Sequence, residues 1–351
     1  MKILITHELY PPDFVGGGEK LVYEMAMNLK KAGHEVRVIT TGNPSIRSYE
    51  GISTTRLRIP RYAMNFAFLP ILKQARWADI IQTATYNAAF PSWLAGKIAK
   101  KPVLCLVMSY WGEQWKKLRP GLSGVVSKFV EKKIVKRSFA KTIFLSNFSR
   151  DSSRQQGLKH INEKNSSVIN PGIDTQKFIP LKKDNFVLFS GRLEKQKGVY
   201  DLMEVARRLP TIKFVIMGSG EEEEKMRRLA TANVEFIGFK RKDDQKLYET
   251  FGKAAVFFLP SYGETFGFVI AEAMASGCSI VSTIPFGFAG KVVVKERIDD
   301  MVKAIKELMD NTEKITLHGQ ENRTLAASFS WDSFTEKLIE EYNDVLKYHN
   351  L

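Results

Sequence analysis

Short, nearly continuous apolar runs alternate along this chain with amphipathic helical stretches, and the alternation runs through two successive series. KILIT at 2–6, EVRVIT at 35–40, ADIIQT at 78–83, PVLCLV at 102–107, KTIFLS at 141–146 and SSVI at 166–169 form the first series. NFVLFSG at 185–191, IKFVIMG at 212–218, VEFIG at 234–238, AVFFLP at 255–260 and SIVS at 279–282 form the second. Helical stretches lie between them, over Glu19 to Lys31, 88–100, 121–139 and 197–208 among others. Such runs predict strands buried on both faces, and a parallel sheet needs the intervening helices for its crossovers. Two series predict an α/β chain of two Rossmann-like domains. Asn170-Pro171-Gly172 breaks local structure between the series, which gives domains over 1–170 and 171–330. Phe334, Leu338, Ile339, Tyr342 and Val345 recur at helical spacing. A terminal helix over 331–351 is therefore expected to pack back on the first domain.

Charge narrows the partners. Residues 1–170 hold 27 Lys and Arg against 11 Asp and Glu, whereas the remainder holds 26 against 27. Such an asymmetry concerns partners rather than fold: an anionic surface, an anionic acceptor or nucleic acid. No nucleic-acid-binding module or aromatic RNA motif accompanies it, so no nucleic-acid partner is expected. No stretch approaches the roughly 18 apolar residues of a membrane span, and Met1 to Thr6 is expected to form a buried strand rather than a signal peptide. The two cysteines, Cys105 and Cys278, sit far apart in apolar surroundings. They are expected as free thiols in a reducing cytoplasm. The five histidines show no ligand spacing, so no metal site is expected.

Three segments of the second half carry chemistry. Gly191, Arg192, Lys197 and Gly198 fall where a strand passes into a helix, the end of a parallel sheet at which ligands bind. Arg192 can fork onto phosphate oxygens and Lys197 adds a compact charge. The second segment runs from Pro260 to Gly277 and sets Glu264 before a helix and Glu272 within it. Gly267 and the helix start, at Phe268, offer free N–H groups to a diphosphate. Glu272 lies among Ile270, Ala271, Ala273 and Met274, where a carboxylate needs a partner. The third segment is the turn Met217-Gly218-Ser219-Gly220 at a strand end. Solvated loops and a dipole-favoured first-turn Glu are the plainer readings of these pieces taken singly.

Taken together, in this order and spacing, the second half resembles the C-terminal domain of family 4 glycosyltransferases, retaining enzymes of the GT-B fold. The first half is similar too, in Gly16 to Gly18, in the helix ending Leu29 to Val36, in Ser146 to Arg150, and in VINPGID at 168–174. The resemblance implies two Rossmann-like domains facing each other across a cleft, and a nucleotide-sugar as donor. It implies that Arg192 and Lys197 neutralise the donor diphosphate and replace a metal, so that no cofactor is needed. It gives Glu264 the hydroxyls of the transferred sugar and Glu272 the ribose. Gly191, Gly218, Gly267 and Phe268 would lie against phosphate and sugar, and Gly16 and Gly17 would close over the donor. Relatives often carry a His after the strand equivalent to 102–107; here Met108 or Ser109 stands there. Ser109, Glu113 or His7 is the candidate to take over its task.

Nine Lys or Arg and one acid, Glu131, lie between Lys116 and Lys141, with Val125, Val126, Phe129, Val130, Ile134 and Val135 at helical spacing. A basic amphipathic helix is a membrane-surface element. Lys132, Lys133, Lys136 and Arg137 are its candidate contacts with an anionic membrane, beside the apolar stretch 61–70. The plainer alternative packs the apolar side on the domain's own sheet. The expected function is transfer of a hexose from a UDP- or GDP-sugar to a lipid-linked or membrane-associated glycan, peripherally at the inner face of the membrane. A nucleotide-sugar-binding protein with little turnover, or a transferase acting on a soluble sugar, are the alternatives.

Overall fold

The computed structural model describes residues 1–13, 16–85, 87–108, 110–115, 121–158, 161–241 and 243–349. The chain divides into two compact units, Met1–Gly172 with Trp331–Leu351, and Ile173–Ser330. In the first unit, β1 (Lys2–Thr6), β2 (Glu35–Thr41), β3 (Ser48–Tyr49), β4 (Ile52–Leu57), β5 (Ile80–Ala84), β6 (Val103–Val107), β7 (Lys141–Phe144) and β8 (Ser166–Val168) form one sheet. Its order is β3-β4-β2-β1-β5-β6-β7-β8, parallel except for the β3–β4 hairpin. The crossovers carry α1 (Gly17–Lys31), α2 (Phe68–Ala75), α3 (Ala89–Ala99), α4 (Leu122–Val135) and α5 (Asn147–Gln155). Leu4, Ile39, Ile81 and Cys105 of the central strands pack with Met64, Ile71, Ala89 and Ile134 in one core.

The second unit repeats the plan with β9 (Asp184–Ser190), β10 (Lys213–Met217), β11 (Val234–Phe236), β12 (Ala254–Leu259), β13 (Ser279–Ser282) and β14 (Gly290–Val292). All are parallel, in the order β11-β10-β9-β12-β13-β14. Its helices are α6 (Val199–Arg208), α7 (Glu223–Leu229), α8 (Gln245–Lys253), α9 (Phe268–Ala275), α10 (Ile298–Met309) and α11 (Thr312–Ala326). Asp244 caps α8 by accepting the Lys246 amide, as a solvated helix start. The last helix, α12 (Trp331–His349), belongs to the first unit. It buries Phe334, Leu338 and Tyr342 there, and the Tyr342 hydroxyl donates to Gln82 Oε1 at 3.0 Å.

Two strands of the first unit and one of the second carry no apolar run in sequence. β4 alternates buried and exposed positions with threonines and an arginine, β3 is two residues long, and β14 is three residues at a sheet edge. Among the described residues no helix is long and apolar enough to cross a membrane.

Candidate functional site

In the second unit β9 is central, β10 lies on one side of it and β12 on the other. The strand order reverses between β9 and β12, so the loops leaving their carboxyl ends flank the position where open α/β sheets bind ligands. Two glycines bring those loops together. Gly198 has φ +67°, and a Cβ there would sit 2.0 Å from the Pro260 carbonyl oxygen. A Cβ on Gly218 would sit 1.9 Å from the Gly191 oxygen. The Tyr262 amide then donates to Gln196 O at 2.8 Å, and Ser261 Oγ to the same oxygen at 3.2 Å. This clamp places Lys197 Nζ 2.6 Å from Glu264 Oε1, with only 17% and 11% of the two side chains exposed.

Arg192, on the same loop as Lys197, donates to Glu194 at 2.6 Å and leaves 59% of its side chain in solvent. Gly267 caps α9, which starts at Phe268, and Glu272 lies buried one turn inside that helix. The structure therefore pairs Lys197 with Glu264, leaves Arg192 exposed on the same loop, and buries Glu272 in the helix that follows. Asp201 and Tyr262 were not foreseen. Asp201, buried in the first turn of α6, accepts the Tyr262 hydroxyl at 3.3 Å. Burial raises the Asp201 carboxyl, and burial followed by the Asp201 charge pushes Tyr262 to about 12. In sequence Asp201 is an ordinary first-turn acid; only the fold buries it beneath the Glu264 loop.

In the first unit, His7 is buried just past β1 with Nδ1 2.7 Å from Leu9 O. Gly16 caps α1 and Gly17 begins it. A Cβ on Gly18 would lie 3.2 Å from Met108 Sδ, so the first turn of α1 meets Met108 just past β6. Ser109 lies outside the described residues. Glu113 is exposed and paired with Lys128. Lys132 and Lys133 occupy the last turn of α4 and Lys136 caps it. Arg137 instead lays its guanidinium over Phe90 and Trp93, at 5.1 and 4.7 Å.

Glu131, the single acid of that basic stretch, is buried on the inner side of α4. Its carboxylate accepts the amides of Trp111 at 3.0 Å and Gly112 at 2.8 Å. Burial pushes its pKa up to about 7, against the pull of those amides and of the Trp115 side chain. The outer side of α4 is apolar: Leu122 is 79% and Phe129 57% exposed, with Val125, Val126 and Val130 beside them.

Two family models match. Glycosyltransferase Family 4 matches residues 15–177 and Glycosyl transferases group 1 matches 173–324. The phosphatidyl-myo-inositol mannosyltransferase of Mycolicibacterium smegmatis is 23% identical over 96% of this chain and 92% of its own. Sucrose-phosphate synthase from Thermosynechococcus elongatus superposes with a TM-score of 0.80 at 18% identity, covering 99% of this chain and 100% of that one. Anabaena HepE in complex with UDP-glucose superposes at 0.77 with 18% identity, over 98% of this chain and 100% of its own. With two parallel Rossmann-like sheets and both halves of the family matched in order, the chain belongs to the family 4 glycosyltransferases and has the GT-B fold.

Proposed function

We propose that this glycosyltransferase moves a hexose from a UDP- or GDP-sugar to a lipid-linked or membrane-associated glycan, with retention at the anomeric carbon and without a metal. The observation that carries the reading is the Lys197–Glu264 pair at the sheet-reversal point of the second unit. A donor entering there exchanges that pair for two better-matched contacts. The diphosphate takes the Lys197 ammonium, with the exposed Arg192 fork beside it, and a sugar hydroxyl takes the Glu264 carboxylate. As the bond from anomeric carbon to phosphate breaks, charge grows on the leaving oxygen, and the two cations stabilise it in place of a divalent ion. Glu272 holds the ribose. The HepE structure contains UDP-glucose, and the mycobacterial relative is named for a phospholipid acceptor.

A panel of UDP- and GDP-sugars tested by thermal shift decides the donor. Ligand at 100 times Kd adds about 2.7 kcal/mol of stability, and R192A and E272A are expected to abolish the shift. No shift with any member of the panel overturns the reading. Undiminished transfer in excess EDTA is the expected outcome for a metal-free mechanism. Met108 or Ser109, standing where relatives often carry His, favours binding with slow turnover as the second reading. Donor hydrolysis or transfer at rates typical of enzymes, about 1–1,000 per second, excludes that second reading.

A further inference from the structure

Glu264 hangs between two aromatic anchors. On its C-terminal side Phe266 is buried against the rings of Phe268, Phe286 and Phe329, with centroids at 5.1, 4.9 and 5.5 Å. On its N-terminal side stands Tyr262, whose hydroxyl donates to Asp201 Oδ1 at 3.3 Å. Asp201 lies in the first turn of α6, four residues after Lys197. The bond therefore joins the loop of Glu264 to the helix that begins just past Lys197. The Tyr262 amide, donating to Gln196 O at 2.8 Å, already ties the main chains of these segments together. The side-chain bond adds a fixed direction for the ring. A third segment converges on the same carboxylate, which the Glu296 amide stabilises from the turn before α10. Glu296 has φ +64°, a left-handed conformation that side chains rarely adopt. As packing alone this arrangement is costly. Asp201 is buried, its Oδ2 accepts no hydrogen bond from the described residues, and the Glu296 charge opposes its own. An apolar pair of the same shape would fill the space more favourably. What a carboxylate and a hydroxyl supply in its place is orientation.

We propose that Asp201, acting through Tyr262, is a positioning residue that sets Glu264 for the sugar of the donor. Naming that sugar as the ligand rests on the donor reading above; the tie between Asp201 and the loop does not. Asp201 itself touches neither the sugar nor the diphosphate. Lys197 is placed by a different device, the close approach of Gly198 to the Pro260 carbonyl. Loss of the Asp201 bond therefore loosens the carboxylate of the pair and leaves the ammonium where it is. Phe266 cannot make up for that loss, because its ring contacts hold only the far end of the segment and have no hydrogen-bond direction. The consequence is selective. A nucleoside diphosphate without a sugar has no use for Glu264, whereas a sugar nucleotide loses the acceptor of its hydroxyls.

Calorimetry on the full chain compares each UDP- and GDP-sugar of the panel with its own nucleoside diphosphate, and hydrogen exchange reads the amides of 263–267. Y262F and D201A are each expected to weaken the sugar nucleotide about tenfold, the worth of one good hydrogen bond, while the diphosphate stays within about twofold of wild type. D201N keeps an acceptor oxygen for Tyr262 and is expected to hold both ligands within about twofold. Exchange at 263–267 is expected to quicken in Y262F and D201A but not in D201N. Y262F keeps the ring, so it carries the test with D201N if D201A fails to fold. The proposal is overturned if exchange at 263–267 is unchanged in Y262F, or if D201N loses the sugar nucleotide. It is overturned equally if Y262F weakens diphosphate and sugar nucleotide alike, which is the mark of a role in the fold alone. E264Q is the control for the donor reading. If E264Q binds the sugar nucleotide as wild type does, or wild type binds no member of the panel, that reading fails, and quickened exchange in Y262F leaves the tie from Asp201 to the loop standing on its own.

Discussion

Lys197 and Glu264 meet at 2.6 Å with little of either side chain in water, so each compensates the other's charge. K197A is expected to lose about 10²–10³-fold in kcat, as removal of one transition-state donor does elsewhere. It also strands Glu264, which costs about 1–3 kcal/mol of stability; urea unfolding separates the two effects. In the first unit, Arg56 is fully enclosed and donates to the Tyr10 and Pro11 carbonyls and to Asp13. It thereby ties down Tyr10 to Asp13, just past β1. R56K is expected to fail to rescue R56A in stability and in kcat, because an ammonium cannot span three acceptors as a planar fork does. Glu131 titrates in an accessible range. Its folded pKa, about 7, lies above its ordinary value of 4.5, so the folded state holds the extra proton between those values. Its contribution is full below about pH 4.5 and is lost as the pH rises through about 7. The difference in unfolding free energy between wild type and E131Q is expected to change across that window and to flatten above it. That Arg192 and Lys197 follow a strand end and that Glu264 and Glu272 flank a helix start was legible, because glycines and apolar runs mark those places in the sequence. Glu131 and Asp201 were not, since nothing local distinguishes them from solvated acids until the tertiary fold removes them from water.

At the scale of elements, α4 shows what a periodicity leaves open. Its apolar spacing predicts an amphipathic helix but not which way the apolar side turns. The structure buries Gly124, Glu131, Ile134 and Val135, and turns Leu122, Val125, Val126 and Phe129 outward. The large apolar side chains that the helix buries therefore come from its C-terminal end, where Ile134 joins Met64 and Ile71 in the core. An outward apolar stripe followed by Lys132, Lys133 and Lys136 suits an anionic bilayer, whose surface attracts each lysine by about 1 kcal/mol. Replacing the three lysines by Gln is thus expected to weaken sedimentation with phosphatidylserine vesicles by roughly 100-fold at low salt. F129E is expected to abolish it while changing unfolding stability by less than about 0.5 kcal/mol, as an exposed site allows. Transfer to a soluble glycoside should be unaffected by either change. Equal sedimentation of wild type and both variants would remove the membrane from the account.

At the scale of the whole molecule, the chain leaves the first unit at Gly172, builds the second, and returns through α12. The two series of apolar runs gave away the sheets because buried parallel strands have no polar face to hide. The strand order was invisible, as was the β3–β4 hairpin, whose Ser, Thr and Arg residues are set by their neighbours rather than by a run of their own. The returning helix makes the first unit depend on the far end of the sequence. Phe334, Leu338 and Tyr342 are fully enclosed against it, and each such side chain contributes about 1.5–3 kcal/mol on burial. Their sum approaches the whole stability of an ordinary domain, about 5–15 kcal/mol. Removing Tyr342 also deprives Gln82 in β5 of its hydroxyl partner. Deletion of 331–351 is therefore expected to collapse hydrogen-exchange protection in β1, β5 and β6, while β9 and β12 keep theirs, since their core lies wholly within 173–330. In the truncated chain UDP should still slow exchange at 191–198 and 260–268, the loops proposed to hold the donor. If protection in β9 is lost together with that in β5, the two units are one cooperative fold, and the donor half does not stand by itself.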